Sequence, residues 1–115
     1  MKPNAKLFIS SPKVDGLFGE GKWQLLDAIH RHGSIQEASR ELGRSYRKAW
    51  GDIKRAEEGL GRQLVTKLRG GTSGGSTELT DFGRQLLKGW KKYRNEVHLC
   101  IKKSYNRHLK KIIEK

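Results

Sequence analysis

Apolar side chains recur at helical spacing near the start of the chain. Leu25 and Ile29 fall on one face of a segment that ends at Gly33, which supplies a C-terminal stop. Ahead of this helix, residues 6–10 have the pattern of a short strand, and a second strand can return after a turn. The pattern therefore predicts a small hairpin followed by a helix over 21–32.

The next segment contains two helix starts close together. Ser34 and Glu37 form a capping box, in which the Ser34 hydroxyl accepts from the Glu37 amide and the Glu37 carboxylate reaches back to the Ser34 amide. This helix lasts about two turns and ends at Gly43, where a positive φ is tolerated. Ser45 can cap a third helix over 46–59. Two helices joined by a short turn with a glycine are typical of a helix-turn-helix.

The third helix has one apolar stripe and a polar outer face. The stripe consists of Ala49, Ile53, Ala56 and Leu60, and the opposite face of Arg47, Gly51, Lys54 and Glu58. Tyr46 and Trp50 lie on one flank, and Lys48 and Arg55 lie on the other. Such a helix can pack by its stripe and present its N-terminal end to base edges. The position of Trp50 beside the stripe favours partial burial, and its flank also allows a contact with the DNA backbone.

Alternation then replaces the helical period. Residues 63–69 read as a strand, with Leu64 and Leu68 expected to face inward. A glycine-rich loop over 70–76 leads to a short returning strand at 77–79. The loop lacks the lysine of a phosphate-binding loop and precedes a strand, which argues against a nucleotide site. It can be a plain hairpin tip, but a hairpin directly after a helix-turn-helix favours a wing.

The rest of the chain reads as one long helix, capped by Thr80. Its apolar residues have heptad-like spacing: Leu86, Trp90, Tyr93, Val97 and Cys100. A helix of about 30 residues is ~45 Å long, which exceeds the domain that it leaves. We therefore expect another chain to cover much of this seam. The predicted division is a winged helix-turn-helix at 1–83 and a dimerisation helix with a basic tail at 84–115.

The charge adds a partner to this picture. The chain has 115 residues, a formal net charge of +13 and a pI near 10.2. Residues 84–115 hold 11 basic and 2 acidic residues, a net charge of +9. A basic chain of this size calls for a polyanionic partner, and nucleic acid is the default. The alternative for the terminal lysines is that they only keep a long helix solvated.

Several classes of protein are excluded by what the sequence lacks. Cys100 is the single cysteine, so there is no intrachain disulfide framework. His98 and Cys100 are two apart on a predicted helix and diverge by about 200°, which argues against a metal site. No catalytic constellation stands out, so we expect neither an enzyme nor a cofactor. No apolar run approaches a membrane span, and we expect a cytoplasmic protein.

A set of short motifs extends over roughly residues 5–95. They are Phe18-Gly19-x-Gly21, Gly33-Ser34-Ile35 with Ala38 and Leu42-Gly43, Ser45-Tyr46-x-x-Ala49-Trp50, Leu64-Val65, Gly70-Gly71-x-x-Gly74-Gly75 and Leu79-Thr80-x-x-Gly83. Together they resemble the N-terminal DNA-binding domain of ModE-type molybdate-dependent transcription regulators. Two of these motifs, Gly33-Ser34-Ile35 and Leu79-Thr80-x-x-Gly83, are also similar to those of the LysR-type winged helix. That family usually begins its recognition helix with a Gln-Pro-like pair, where this chain has Tyr46-Arg47.

The resemblance implies a mainly α fold with a small β component, a winged helix-turn-helix. It also implies a two-fold dimer through the first and last helices and a palindromic promoter site. Full-length ModE regulators carry C-terminal molybdate-binding modules, whereas this chain ends after the long helix. A stand-alone form with a separate effector-binding partner and a truncated form both stay open.

We predict that the contacts to double-stranded DNA come from the recognition helix and the wing. The helix contributes Ser45, Tyr46, Arg47, Lys48, Trp50 and Lys54, and the wing contributes Lys67, Arg69, Gly71, Thr72 and Ser73. Arg47 is the candidate for specificity, because arginine can contact guanine with two hydrogen bonds. The competing hypothesis is a non-specific architectural or RNA-binding protein that uses the basic terminal helix.

Overall fold

A computed structural model describes residues 1–68 and 76–115 of the chain. Its strands are β1 (Phe8–Ile9), β2 (Phe18–Gly19), β3 (Val65–Leu68) and β4 (Ser76–Leu79). Its helices are α1 (Glu20–His32), α2 (Ile35–Leu42), α3 (Tyr46–Leu60), α4 (Asp81–His108) and α5 (Lys110–Ile113). Strands β1 and β2 pair antiparallel, as do β3 and β4. This order confirms the predicted winged helix-turn-helix with an N-terminal hairpin and a long C-terminal helix.

The helix ends follow the signals in the sequence. Three side-chain oxygens accept the amide three residues ahead and so cap α2, α3 and α4: Ser34, Ser45 and Thr80. Gly43 ends α2 with a φ of 66°. Only half of the predicted capping box forms, because the Glu37 carboxylate accepts a hydrogen bond from Arg40 at 3.2 Å and does not turn back to Ser34.

The core lies where α1, α2 and α3 meet the wing and the first turns of α4. The largest fully buried side chains are Phe18, Leu25, Leu26, Ile29, Ile53 and Leu64. Trp90 of α4 is 2% exposed and sets its ring edge against Phe18, with centroids 5.2 Å apart. The seam prediction is therefore corrected at Trp90, which packs in the core of its own chain. It does so because α4 passes the start of α1 before leaving the domain.

Polar contacts fasten α4 to α1 at this point. The Glu20 carboxylate accepts from the Trp90 indole at 3.1 Å and from Arg94 at 2.6 Å. The Trp23 indole donates to the Leu87 carbonyl at 3.0 Å, and the Arg94 guanidinium lies 4.5 Å from the Trp23 ring centroid. The predicted boundary between residues 83 and 84 thus falls inside α4. The first turns beyond that boundary belong to the winged-helix core.

The strand β3 begins at Val65, two residues later than the predicted start at residue 63. Val65 is opposite Leu79 and Lys67 is opposite Thr77, so these four positions share the inner face. Val65 is buried and Thr66 is exposed, so Val65 and not Thr66 occupies the inner face of the strand. Leu64 is buried too, but it precedes the strand and its side chain enters the core from the loop.

A cluster of backbone contacts, which we call the Leu64 junction, holds the wing to α3 and α4. The Leu64 amide donates to the Glu57 carboxylate at 2.7 Å, and the Leu64 carbonyl accepts from the Thr80 amide at 3.0 Å. The Thr80 hydroxyl donates to the Gln63 carbonyl at 2.7 Å. Gly83 packs directly on the Leu64 carbonyl. One residue thus links the end of the recognition helix, the wing and the start of the long helix.

The long helix ends slightly earlier than predicted. It breaks at Leu109, and the short α5 follows. The hydroxyl of the buried Tyr105 donates to the Glu114 carboxylate at 2.6 Å, which lowers the Glu114 pKa. The amino group of Met1 lies 3.7 Å from Glu114. Among the described residues, no helix has both the length and the hydropathy that a bilayer crossing requires.

Candidate nucleic-acid interface

The packing of α3 decides which of its side chains face outward. Ala49, Ile53 and Ala56 are buried, as the apolar stripe predicts, and Leu60 is half-buried. The first turn of the helix is open on its outer side. Tyr46 is 45% exposed, and Arg47 and Lys48 are exposed as well. The N-terminal end of α3 is therefore available to a ligand as large as a DNA duplex.

The cations of α3 fall into two groups. Arg55 pairs with Asp52 at 2.6 Å, and Lys54 lies 3.4 Å from the Glu57 carboxylate. Arg47 and Lys48 have no carboxylate partner within residues 1–68 and 76–115. Removing an unpaired exposed cation from water to bind an anion breaks no existing ion pair. The cations at the start of α3 are therefore more readily available to an anion than the paired cations farther along the helix.

A lysine from the wing lies against the aromatic flank of α3. The Lys67 ammonium is 4.7 Å from the Trp50 ring centroid and donates to the Tyr46 hydroxyl at 3.3 Å. The Lys54 ammonium also lies over Trp50, at 4.9 Å. Trp50 is half-buried, which confirms the partial burial expected of it. These contacts hold β3 against the recognition helix and place both lysines beside its exposed N-terminal half.

The remaining predicted wing contacts cannot be placed. Arg69, Gly71, Thr72 and Ser73 lie in 69–75, outside the described residues. Of the predicted wing contacts, the structure therefore places Lys67 alone, beside Tyr46 and Trp50.

An ionic network fixes the first helix of the helix-turn-helix to α1. The Arg31 guanidinium donates to both oxygens of Glu41, at 2.8 and 2.6 Å, and also to Asp27 at 3.0 Å. His32 lies 2.8 Å from Glu41. The hydrogen bonds from Arg31, followed by that from His32, lower the Glu41 pKa from 4.5 to about 2. The ionised carboxylate is therefore the form that joins α1 to α2.

This network predicts a defined pH dependence. Because the Glu41 pKa is lowered on folding, its stabilising contribution is complete above pH 4.5 and disappears as the pH falls through about 2. We expect the melting temperatures of the parent and of Glu41→Gln to differ at neutral pH and to converge towards pH 2. Glu58→Gln, at an exposed position of α3, is the matched control and should follow the parent throughout. A constant difference between parent and Glu41→Gln across this range would contradict the assignment.

Of the other predicted seam residues of α4, Leu86 packs partly buried against the core, and the rest lie at the surface of the single chain. Tyr93 is 43% exposed, Cys100 is exposed, and Leu86 and Val97 are half-buried. Leu99, which the seam did not include, is 60% exposed. Within the described residues, no group of three potential metal ligands comes together, and this includes the surroundings of His98 and Cys100.

Two functional positions escaped the sequence pattern. Glu57 is 8% exposed and accepts from the Leu64 and Val65 amides. The available signal was its place next to Ala56 on the inner side of α3, where an unpaired acid would be costly. Thr77 is also buried, and its pairing opposite Lys67 follows only from the register of the wing.

Comparison with known proteins gives consistent matches. Residues 21–84 match the family described as bacterial regulatory helix-turn-helix protein, lysR family. The molybdenum-pterin-binding protein MopA of Rhodobacter capsulatus is 36% identical over 80 residues, 70% of this chain and 29% of the relative. The molybdenum transport protein ModE of Azotobacter vinelandii is 41% identical over 64 residues, 56% of this chain and 24% of the relative.

A third relative carries a more explicit name. The DNA-binding transcriptional dual regulator ModE of Escherichia coli K12 is 34% identical over 64 residues, 56% of this chain and 24% of the relative. The chain thus spans less than a third of the length of these three relatives.

Proposed function

Because the chain belongs to the LysR-type family of bacterial regulatory helix-turn-helix proteins, we propose that it is a transcriptional regulator that binds specific DNA sequences. The observation that carries the proposal is the exposed start of α3, where Arg47 and Lys48 have no carboxylate partner among the described residues. A helix-turn-helix presents this end of its second helix to base edges in the major groove.

The proposed mechanism assigns separate roles to neighbouring side chains. Arg47 reads a guanine, because its two parallel N–H groups match the acceptors on the major-groove edge of that base. Ser45, Tyr46 and Lys48 contact the backbone beside it, and Lys67 brings a positive charge from the wing. We assign contacts with phosphate or the minor groove to the predicted wing residues Arg69, Gly71, Thr72 and Ser73.

We further propose that the protein binds as a homodimer to a palindromic site. The support is the apolar surface of α4 beyond the core, where Tyr93 and Cys100 are exposed and Val97 is half-buried. A two-fold dimer of this kind reads half-sites about 34 Å, or a multiple of that, apart. Since two relatives are named for molybdenum transport or molybdenum-pterin binding, promoters of molybdenum-related genes are the first to test. A regulator of bacterial promoters works in the cytoplasm.

The test begins with selection of duplexes from a random pool by the full chain, which should enrich a palindrome. Arg47→Ala should then lose roughly 1–3 kcal/mol of binding, concentrated at particular base pairs of the selected duplex. Binding is measured on that duplex and on its single-base variants. Arg107→Ala, an identical change at an exposed position of α4, is the control. A loss of equal size on every duplex would contradict base reading by Arg47.

The competing hypothesis of a non-specific architectural or RNA-binding protein has less support. It rests on the net charge of +9 in 84–115. The first turns of α4 belong to the winged-helix core, so this basic segment is not a separate binding module. A salt titration on the selected duplex and on random duplex separates the two hypotheses. Equal affinities at every salt concentration would favour the non-specific protein. We propose no catalytic role, because the matched family is one of regulators.

A further inference from the structure

A cavity of about 320 Å³ opens between the start of α2, the start of α3 and the wing. Its described lining residues are Ser34, Ile35, Gln36, Tyr46, Lys67, Ser76 and Thr77. None of these is acidic, and Lys67 brings the one formal charge among them. The described lining therefore combines one positive charge with several hydrogen-bonding groups.

One wall of the cavity is the N-terminus of an eight-residue helix. Ser34 caps α2 by accepting from the Glu37 amide, so its hydroxyl hydrogen can be donated elsewhere. The amides of Ile35 and Gln36 come before the first intrahelical hydrogen bond and have no partner within the helix. This end also carries the positive pole of the helix dipole. The wall thus offers donors suited to an anion.

The opposite wall contains Thr77, a nine-tenths buried residue whose hydroxyl has no protein partner in the part of the chain that the structure describes. Thr77 is 6% exposed and lies on the inner face of β4, opposite Lys67. Its amide donates to the Gly33 carbonyl at 2.8 Å, which anchors β4 beside the start of α2. Its hydroxyl hydrogen-bonds to none of residues 1–68 and 76–115. Because Thr77 lines the cavity, its hydroxyl is available to donate to a ligand there.

The charge of the site comes from the wing. The Lys67 ammonium donates to the Tyr46 hydroxyl, and no carboxylate within the described residues neutralises it. Tyr46 and Lys67 thus approach the cavity from α3 and β3 respectively. A ligand that accepts hydrogen bonds in several directions would satisfy donors from three elements at once.

We propose that this cavity binds one tetrahedral oxyanion of the phosphate class. Such an ion has acceptor oxygens for Lys67, for the Thr77 hydroxyl and for the free amides at the start of α2. Two sources share this chemistry, a backbone phosphate of DNA and a free inorganic ion. A DNA phosphate as the ligand rests on the proposed function, whereas the presence of an anion site in the cavity does not. A bound phosphate would join the wing to the helix-turn-helix and so set the position of both against the duplex.

The first arm of the test uses inorganic phosphate and the full chain. Phosphate replaces chloride at constant ionic strength while the melting temperature is recorded. We expect a rise of several degrees once phosphate exceeds its Kd about a hundredfold. Lys67→Met and Thr77→Val should each lose most of this rise. Lys102→Met, which removes the same charge from an exposed position of α4, should keep it.

The second arm uses DNA and maps single phosphates. A set of selected duplexes carries one neutral methylphosphonate each, at successive backbone positions. The parent should bind roughly tenfold more weakly when one particular phosphate in each half-site is neutral. Lys67→Met and Thr77→Val should each bind roughly tenfold more weakly to the unmodified duplex and show no further loss at that phosphate, whereas Lys102→Met should behave as the parent does.

The outcomes separate the site from the proposed function. A phosphate response without a DNA phosphate linked to Lys67 supports the site with a free ion as its source. A DNA phosphate linked to Lys67 and Thr77 supports the site with the backbone as its source. In another outcome, the chain binds DNA while Lys67→Met and Thr77→Val behave as Lys102→Met does in both arms. That result would overturn the site and would leave the proposed regulatory function intact. Failure to bind any DNA, together with a phosphate response lost in both variants, supports the site and overturns the regulator.

Discussion

Gly83→Ala should destabilise the protein by about 3 kcal/mol, because a Cβ there would overlap the Leu64 carbonyl oxygen. The same Cβ would lie 3.3 Å from the Leu64 carbonyl carbon and 3.4 Å from the Leu79 side chain. Backbone cannot rotate away as a side-chain tip can, so α4 must shift from the wing to make room. Urea unfolding followed by circular dichroism measures the loss, and an unchanged slope would show that the folded state lost stability.

The same helix provides the control. Nothing lies within 4 Å of a Cβ placed at Gly89, which is exposed. Gly89→Ala should therefore stabilise the protein by about 1 kcal/mol through helix propensity alone. The two substitutions are chemically identical and differ only in what the new methyl group meets. If both variants moved the free energy of unfolding in the same direction, the close approach of α4 to Leu64 would be wrong.

Glu57→Ala should cost roughly 3 kcal/mol of stability, since it leaves two buried amides without an acceptor. The Leu64 amide lies 2.7 Å from the Glu57 carboxylate, and the Val65 amide lies 3.3 Å from the same oxygen. Glu57→Gln should cost less, because its amide oxygen can still accept from Leu64. The free energy of unfolding is obtained from thermal and urea melts of the three proteins.

Glu58 is the neighbouring control for this prediction. It is exposed, and replacing it by alanine should change the stability by less than about 0.5 kcal/mol. The wing should also be less well fixed in Glu57→Ala, so its DNA affinity should fall at temperatures where the domain is still folded. Equal stability of Glu57→Ala and Glu58→Ala would show that the carboxylate does not hold the Leu64 junction.

Signals between residues close in sequence predicted the ends of the helices. The caps at Ser34, Ser45 and Thr80 need only an amide three residues away, so the local sequence contains all the necessary information. The buried stripe of α3 likewise follows from a single period. These features suffice for the order of elements and for the outward orientation of the first turn of the recognition helix.

Other features depend on contacts between residues distant in sequence, and the pattern of apolar and polar positions could not predict them. The spacing that assigns Trp90 to a dimer seam is also satisfied by burial against Phe18, and only the passage of α4 across α1 decides between them. The inner face of β3 depends on its register with β4, which begins after the loop. Glu57 appears as an ordinary helical acid until the chain returns its Leu64 amide to it.

For the candidate interface, too, local signals were predictable from the sequence and distant contacts were not. Arg47 was recognised from the polar face of α3 and Lys48 from its flank, and their lack of carboxylate partners within the described residues required the full set of contacts. The tether between Lys67 and the aromatic pair of Tyr46 and Trp50 could not be read from the sequence, because it joins side chains more than fifteen positions apart.

The attachment of α4 at Glu20, Trp90 and Arg94 makes the rest of that helix a lever arm. From Trp90 to His108 the helix extends about 27 Å at 1.5 Å per residue. A tilt of about 10° at the attachment would therefore move the far end by about 5 Å. In a dimer joined along these arms, the same small rotation would change the separation of the two recognition helices by a distance comparable to one base-pair step or more. The hydrogen bonds of the Glu20 carboxylate would then determine the distance between the two DNA half-sites that such a dimer can bind.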